Sequence, residues 1–294
     1  MNTILPIALQ MYTVRDAAAR DFARTLRHVR ETGYENIELA GTHNMAADAL
    51  RDYLKEIGLT VVSAHVPLEA LEGGLDEVLP FYNTLGVPFL VIPYLPEPRR
   101  RDETGYRDLG ATLNRIGSSV RGAGMQLAYH NHDFEFQKFD PTGEMGMDIL
   151  LRGTDPELVK IELDTFWVKK AGLDPAAYLR QYPGRTPLIH LKDMTGDERA
   201  TFAEVGEGVM DFPAIFGAAQ EAGAKYYIVE QDRCERDPLE SIRISLDNLA
   251  GMGMVPGQSQ TTEGSRPKDG GSDSANDQGR GGGHHGTSPA GQGH

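Results

Sequence analysis

Short apolar segments alternate with amphipathic segments along most of the chain. Eight of the apolar segments predict β-strands, and each is followed by a loop and then by apolar residues at helical spacing. The predicted strands cover residues 7–11, 36–39, 60–65, 89–92, 126–130, 160–163, 188–191 and 226–229. Because these segments contain few polar residues, they are typical of parallel strands that are covered on both faces.

The segments between the predicted strands carry the start and stop signals of helices. Residues 21–32 and 108–123 place apolar side chains on one helical face. Asp237 followed by Pro238 predicts the start of the last helix, since aspartate caps a helix and proline fits its first position. Gly33 follows the first of these helices, where a left-handed residue closes the last turn without a Cβ clash.

Eight strand–helix units in about 250 residues match the size and order of a (β/α)₈ barrel. The competing fold is a doubly wound open sheet, which usually has a glycine-rich turn after its first strand. Residues 10–15 read Gln-Met-Tyr-Thr-Val-Arg and contain no glycine. We therefore predict an α/β protein with a single (β/α)₈ (TIM) barrel domain over residues 1–254. Residues 255–294 are rich in Gly and Ser and are predicted to be a disordered tail.

Composition narrows the classes of function. The 294 residues carry a formal net charge of −14, which argues against binding nucleic acid because phosphate neutralisation needs a basic face. The single cysteine, Cys234, cannot form an internal disulfide. No apolar run approaches the ~18 residues of a membrane span, and the first residues lack a signal-peptide pattern. We expect a cytoplasmic protein that acts on a small molecule, without a nucleic-acid or membrane partner.

Polar side chains gather where the predicted strands end, which is where (β/α)₈ barrels place their chemistry. The last four strands each end in a residue able to bind a metal ion: His130, Asp164, His190 and Glu230. Imidazole nitrogens together with carboxylate oxygens suit Mn²⁺, Fe²⁺, Co²⁺ or Zn²⁺. We predict that these four hold one divalent ion, with Mn²⁺ as the first choice. The alternative is a buried network of salt bridges.

Further polar and aromatic residues at this end are candidates for contact with a substrate. Gln10, Glu38 and His65 end the first three strands, and Trp167 follows the sixth. We expect the first three to bind hydroxyl groups and Trp167 to cover an apolar face of the substrate. The alternatives are a hydrogen-bonded core position for His65, an ion pair with arginine for Glu38, and core packing for Trp167.

Three residues are candidates for proton transfer: His132, Glu135 and Lys192. Each follows or ends a predicted strand, so burial and a nearby ion can shift its pKa toward the value that acid–base catalysis requires. Cys234 shows no pattern of a catalytic nucleophile.

Four short motifs at the strand ends carry a family resemblance. They are Leu-Asp-Thr-Phe at 163–166, His-Leu-Lys-Asp at 190–193, Val-Gly-Glu-Gly at 205–208 and Val-Glu at 229–230. With them, residues 4–250 resemble the xylose-isomerase-like barrel superfamily, which includes sugar isomerases and epimerases, inosose dehydratase and the endonuclease IV group. The first motif is similar to the metal-binding aspartate motif of ketose epimerases, and the second to the His-x-Lys-Asp of inosose dehydratase-like members.

The chain departs from the family pattern at two places. Most members carry Glu-Asn at the end of the fifth strand, whereas this chain has His130-Asn131. We favour His130 as the replacing ligand, and the alternative is that Glu135 reaches back to the ion. Trp167 replaces a histidine of ketose epimerases and of endonuclease IV relatives, and no Asp-x-His pair precedes Gly206. Both ketose 3-epimerisation and a three-metal phosphodiesterase site are therefore disfavoured.

The resemblance implies a metal-dependent isomerase or epimerase acting on a sugar, a keto-sugar or a cyclitol. A proton would leave the carbon beside a carbonyl, and the ion would stabilise the resulting enediolate. The alternative is a metal-dependent dehydratase or lyase on a keto-sugar or inosose. Two further alternatives are an endonuclease IV-like phosphodiesterase and a non-catalytic sugar-binding barrel. The resemblance also implies a homodimer or larger assembly.

Overall fold

Eight parallel strands close into a barrel in the computed structural model, which describes residues 4–255. The barrel strands are β1 (Ile7–Gln10), β2 (Asn36–Leu39), β3 (Thr60–His65), β4 (Phe89–Ile92), β5 (Gln126–His130), β6 (Val159–Asp164), β7 (Leu188–Leu191) and β10 (Tyr226–Val229). Strand β10 pairs with both β7 and β1 and so closes the barrel. The predicted TIM barrel is confirmed, and the predicted strand bounds differ only for the first and sixth strands.

Helices follow the barrel strands along the chain. They are α1 (Arg15–Arg20), α2 (Phe22–Thr32), α3 (Ala47–Ile57), α4 (Leu68–Gly73), α5 (Leu75–Leu85), α6 (Glu103–Gly122), α7 (Gly146–Gly153), α8 (Thr165–Lys170), α9 (Pro175–Gln181), α10 (Phe212–Ala222) and α11 (Pro238–Gly251). Two short strands, β8 (Asp193–Met194) and β9 (Phe202–Ala203), form an antiparallel pair after β7. Three short 3₁₀ helices cover Met11–Val14, Glu97–Arg99 and Phe134–Phe136.

Side-chain caps set the starts of the predicted helices. The Asp21 carboxylate accepts a hydrogen bond from the backbone N–H of Arg24 and caps α2, which begins at Phe22, one residue after the predicted start. Helix α6 begins five residues earlier than the predicted residue 108, because Asp102 caps it through the N–H of Gly105. Asp237 caps α11 in the same way. Gly33 ends α2 with a φ of 119°, a conformation that favours glycine.

The core has two layers that follow from the alternation of side chains along each strand. A small cluster inside the barrel consists of Ala8, Val62, Phe89, Val91, Ala128, Leu188 and Ile228. A larger cluster packs the outer strand faces against the helices. Along β6, Ile161 and Leu163 belong to this outer cluster, whereas Glu162 and Asp164 occupy the alternate, inward-facing positions. Polar side chains therefore fill the barrel interior toward the carboxyl ends of the strands.

Residues 256–294 of the predicted tail lie outside the described residues, so the division into residues 1–254 and 255–294 stays a prediction. None of the helices within residues 4–255 is long and apolar enough to cross a membrane.

Candidate active site

The four predicted metal ligands converge at the carboxyl end of the barrel. His130 ends β5, Asp164 ends β6, His190 lies in β7, and Glu230 directly follows β10. All four are buried, and one ligand atom from each lies within 4.8 Å of the others. We call His130, Asp164, His190 and Glu230 the rim cluster. The closed barrel brings these residues together because it places the ends of neighbouring strands side by side.

Local hydrogen bonds fix the direction of Asp164. Its Oδ1 atom accepts the backbone N–H groups of Phe166 and Trp167, so the residue caps α8. The neighbouring Asn131 accepts the N–H of Asp164 at 2.9 Å and donates to its carbonyl oxygen at 3.3 Å. These contacts direct Oδ2 of Asp164 toward Lys192 Nζ, which lies 2.8 Å away.

Lys192 is the positively charged side chain beside the rim cluster. Its side chain is 1% exposed, and Nζ lies 2.8 Å from Asp164, 2.7 Å from Glu230 and 2.8 Å from Asp232. Burial by itself would lower the pKa of Lys192, but the three carboxylates outweigh it and raise this pKa well above the ordinary value. The lysine is therefore an ammonium ion at neutral pH.

A second group of side chains lies deeper in the barrel and shares two histidines with the rim cluster. We call it the deep cluster, and it consists of Glu38, His65, His130, Glu162 and His190. One ligand atom from each of the last four lies within 4.8 Å of the others. Glu38 Oε1 lies 3.1 Å from His65 Nε2 and 2.8 Å from His190 Nε2.

Glu162 is a site residue that the sequence did not lead us to predict. It lies two positions before Asp164 on β6, and strand alternation therefore gives both side chains the same inward direction. That alternation is the signal that could have identified it. Glu162 Oε2 lies 2.8 Å from His65 Nε2, 2.9 Å from His130 Nδ1 and 3.1 Å from His190 Nε2.

The carboxylates and imidazoles of the deep cluster shift one another's pKa values in the absence of a metal ion. Burial alone would raise the pKa of Glu38, but His65 and His190 hold it well below the ordinary value. Burial alone would lower the pKa of His190, whereas Glu162 and Glu38 raise it well above the ordinary value. The pKa of His65 is raised to about 10 by the same two carboxylates against the effect of burial.

Gln10 and Glu38 occupy positions beneath the cavity rather than on its wall. Both are fully buried, and Gln10 Nε2 donates a 2.6 Å hydrogen bond to Glu38 Oε1. The expectation that they contact substrate hydroxyls directly is not supported by this placement. Nor does Glu38 pair with arginine, since its contacts are with Gln10 and the two histidines.

A cavity of about 530 Å³ opens above the rim cluster, within the usual size range of small-molecule sites. Its polar wall comprises His65, His130, His132, Lys192, Glu230 and Asp232. Tyr12, Tyr82 and Tyr94 contribute aromatic surface, together with Pro67 and Pro93. His65 is therefore placed where it can contact a bound molecule, as the sequence suggested. This combination of apolar walls and a few converging polar groups is typical of small-molecule binding sites.

Glu135 lies beneath His132, and both of its carboxylate oxygens accept hydrogen bonds from neighbouring residues. Oε1 accepts the hydroxyl of Tyr129 at 2.7 Å, and Oε2 accepts the backbone N–H of His132 at 2.8 Å. Burial raises the pKa of Glu135 to about 7. Because the side chain is fully buried and held in this way, the structure does not support Glu135 as an alternative metal ligand or as a direct catalytic group.

His132 and Trp167 form an aromatic wall beside the rim cluster. The His132 ring stacks on Phe134 with a centroid separation of 5.3 Å and lies 5.3 Å from the Trp167 ring. Burial, reinforced by the charge of Lys192, lowers the pKa of His132 to about 3, so the imidazole is neutral. Trp167 also packs on Phe202. This arrangement supports the packing interpretation of Trp167, with His132 between it and His130.

Asp193 anchors the glycine-containing loop that the sequence analysis noted. Its carboxylate accepts hydrogen bonds from the backbone N–H groups of Met194, Gly206, Gly208 and Met210. A Cβ atom on Gly208 would collide with Asp193 and with the carbonyl oxygen of Met194. Two adjacent residues of opposite charge, Lys192 and Asp193, would by sequence alone also fit an ordinary surface ion pair. The structure excludes it, since both side chains are buried and each has other partners.

A (β/α)₈ barrel with buried histidines and carboxylates at its carboxyl end is typical of the TIM-barrel enzymes, whose active sites lie at that end. The family model described as xylose isomerase-like TIM barrel matches residues 26–252. The chain belongs to this family, and the resemblance inferred from the sequence is confirmed.

Similar proteins refine this placement. An inosose dehydratase from Lacticaseibacillus casei is 25% identical over 259 residues, which cover 74% of this chain and 85% of that protein. The crystal structure of a sugar phosphate isomerase/epimerase from Parabacteroides distasonis is also 25% identical, with a TM-score of 0.75, and the match covers 86% of this chain and 96% of that one. A crystal structure of the IOLI protein with a zinc atom matches with a TM-score of 0.65 at 15% identity, over 84% of this chain and 97% of that one.

The comparisons confirm that the chain is an enzyme of this carbohydrate-related class. They do not confirm isomerase or epimerase activity, which was the first interpretation of the sequence. The names of the curated relatives favour the dehydratase that the sequence analysis gave as the alternative.

Proposed function

We propose that the protein is a metal-dependent dehydratase that removes water from a cyclic polyhydroxy ketone, either a keto-sugar or an inosose. The observation that carries this proposal is the buried Lys192 ammonium, which lies within 2.8 Å of three carboxylates and lines the same cavity as a neutral His132. A proton donor and a proton acceptor thus face one cavity. The similarity to inosose dehydratases supports the same reaction class.

The rim cluster fits a divalent cation. Two imidazoles and two carboxylates form a donor set that suits Mn²⁺, Zn²⁺, Co²⁺ or Fe²⁺. When bound at such a site, a divalent ion supplies Lewis-acid charge that stabilises negative charge developing on a substrate oxygen. We propose His130, Asp164, His190 and Glu230 as its ligands and retain Mn²⁺ as the first candidate.

The chain's own residues supply the proton transfers. His132 is neutral and accepts the proton from the carbon beside the carbonyl, and a C=C bond forms as the C–O bond at the next carbon breaks. Lys192 donates a proton to the departing hydroxyl, which leaves as water. His132 then releases its proton to solvent, and Lys192 takes up a proton from solvent, so both side chains return to their starting states. Asp232, part-exposed beside Lys192, is placed to assist this return.

Isomerisation or epimerisation is the second candidate, because the similar structure from Parabacteroides distasonis is described as a sugar phosphate isomerase/epimerase. The same first proton transfer serves all of these reactions. They differ in whether the proton returns to carbon or a hydroxyl leaves.

Incubation of the Mn²⁺-loaded protein with an inosose and with keto-sugars in D₂O tests the proposal. Dehydration predicts loss of one water by mass spectrometry and a new absorbance from the unsaturated or diketone product. Deuterium uptake beside the carbonyl without water loss would instead support isomerisation or epimerisation. The Glu230→Gln variant should lose the rim ion and turnover, and full retention of both would contradict the site assignment. Saturable sugar binding without exchange or turnover would indicate a non-catalytic barrel, and cleavage of abasic-site DNA a phosphodiesterase.

A further inference from the structure

The deep cluster concentrates negative charge and imidazole nitrogens in a small buried volume. His190 Nε2 lies 2.8 Å from Glu38 Oε1 and 3.1 Å from Glu162 Oε2. His65 Nε2 lies 3.1 Å and 2.8 Å from the same two oxygens. Each of the two nitrogens therefore faces both carboxylates, and the four atoms form a closed ring of contacts.

Hydrogen bonds account for only two of these four contacts, the 2.8 Å contacts of His190 Nε2 with Glu38 Oε1 and of His65 Nε2 with Glu162 Oε2. An imidazole nitrogen carries at most one proton, so two nitrogens cannot donate a full hydrogen bond along all four contacts. The second oxygens, Glu38 Oε2 and Glu162 Oε1, are also buried and have no hydrogen-bond partner within residues 4–255. Two carboxylates buried this close together need positive charge beside them. A divalent cation supplies that charge more completely than protons shared among four contacts.

The contacts of both ring nitrogens in His190 and His130 indicate which site each histidine can bind. His190 Nδ1 lies 2.9 Å from Glu230 Oε2, a hydrogen-bond distance, and this leaves Nε2 directed into the deep cluster. His130 Nδ1 lies 2.9 Å from Glu162 Oε2, whereas its Nε2 lies 3.6 Å from Asp164 Oδ2. A carboxylate that binds one nitrogen while the other binds a metal ion is the usual support of a metal-ligating histidine.

We propose that the deep cluster is a second divalent-cation site, with Glu38, His65, Glu162 and His190 as ligands. Ligand atoms that lie ~2.0–2.2 Å from one ion and at right angles to each other, as in octahedral coordination, are about 3 Å apart. The observed contacts of 2.8–3.1 Å match that spacing. An ion can enter from the cavity, because His65 forms part of the cavity wall.

Occupation of both sites divides the shared histidines between them. A neutral imidazole has a single nitrogen lone pair, so His190 binds the deep ion and donates its Nδ1–H to Glu230. The rim ion then keeps His130, Asp164 and Glu230, and three protein ligands with an open position are typical of catalytic sites.

The charges at this end of the barrel also match two ions. The carboxylates that share histidine or lysine contacts there are Glu38, Glu162, Asp164, Glu230 and Asp232. Without an ion, protonated His65 and His190 offset part of their charge. Once bound ions replace those protons the imidazoles are neutral, and five carboxylates against the Lys192 ammonium leave a surplus of four negative charges. Two divalent cations neutralise that surplus. The inference rests on this geometry and charge and does not depend on which reaction the enzyme performs.

Metal titration of the chelator-treated full chain tests the proposal. We expect two equivalents of Mn²⁺ by calorimetry and elemental analysis. Glu38→Gln should weaken the deep site at least about tenfold and leave the rim equivalent, because the contacts of Glu38 are with Gln10, His65 and His190 and not with His130, Asp164 or Glu230. Asp164→Asn is the matched control, since it makes the same carboxylate-to-amide change at a rim ligand and should weaken the rim site instead. Unchanged stoichiometry and affinity in Glu38→Gln would overturn the proposal.

Anomalous diffraction from wild-type crystals grown with Mn²⁺ gives a readout that needs no variant. A peak between Glu38, His65 and Glu162 supports the deep site, whatever the rim contains. Absence of a peak there at saturating Mn²⁺ would overturn it. Failure of the proposed dehydration is a separate outcome, because it is measured by product formation and not by the position of an ion.

Discussion

The ammonium nitrogen of Lys192 lies 2.7 Å from Oε2 of Glu230, and both side chains are buried at the carboxyl end of the barrel. One oxygen of Glu230 thus serves the lysine, and the same oxygen lies 2.9 Å from His190 Nδ1. This contact links the proposed proton donor to a proposed metal ligand. A change in one is therefore expected to alter the other, and the first prediction concerns this pair.

Replacement of Lys192 by methionine should leave three carboxylates without their cation. We expect the dehydration rate to fall at least about 100-fold, because a positioned acid typically contributes that much. The metal-free variant should be destabilised by about 3–5 kcal/mol, the usual cost of breaking a buried ion pair. Product formation and urea unfolding measure the two effects. Lys55→Met on an exposed surface is the control, and a Lys192→Met enzyme with wild-type turnover would remove lysine from the mechanism.

His132→Asn should separate proton transfer from metal binding. We expect deuterium exchange beside the carbonyl to fall about 100-fold, since the neutral imidazole that accepts the proton is gone. Metal stoichiometry should be unchanged, because His132 is not a member of either cluster. The exposed His43→Asn variant provides the comparison, and asparagine tolerates the φ of 48° at that position. Exchange at the wild-type rate in His132→Asn would assign the base elsewhere.

The ionisation of Glu135 predicts a specific pH dependence of stability. Burial raises its pKa from 4.5 to about 7, so between these pH values the folded protein holds a proton that the unfolded chain releases. The contribution of Glu135 to stability is therefore full below pH 4.5 and is lost as the pH rises toward 7.

Glu135→Gln removes this dependence. The free energy of unfolding of the variant minus that of wild type should increase by about 3 kcal/mol as the pH rises from 4 to 8. Urea denaturation at the two pH values measures this increase. The effect of the altered hydrogen bonds to Tyr129 and His132 is the same at both pH values and cancels in the comparison. Exposed Glu69→Gln should show no such change. An equal stability difference at both pH values would show that the pKa of Glu135 is the same in the folded and unfolded protein.

Asp193 should determine the conformation of the loop from Gly206 to Met210. In Asp193→Asn, an amide NH₂ group replaces one acceptor oxygen, and each backbone N–H left unpaired costs about 1–3 kcal/mol. Thermal unfolding and hydrogen exchange at Gly206 and Gly208 measure the loss. Gly208→Ala should have a similar effect because a Cβ atom has no space there. Asp197→Asn, on the exposed turn after β8, is the control, and protection of Gly208 that is unchanged in Asp193→Asn would contradict this role.

The sequence by itself determined the barrel and the place of its chemistry. Apolar strands of four to six residues, separated by capped helices, specify parallel pairing because both strand faces must be covered. That pairing puts the ends of all eight strands on one side, so His130, Asp164, His190 and Glu230 could be grouped without coordinates. Local signals were sufficient because each depends on residues close in the chain.

Only the tertiary structure decided how far each polar side chain lies from the cavity and what it contacts. Glu38 and His190 are 152 residues apart and meet across the barrel interior at 2.8 Å. No local pattern encodes that distance, nor the layer in which Gln10, Glu38 and Glu162 are buried beneath the rim, nor the engagement of Glu135 by Tyr129 and His132. Such contacts depend on barrel closure, which sets the distance between side chains on strands far apart in the sequence.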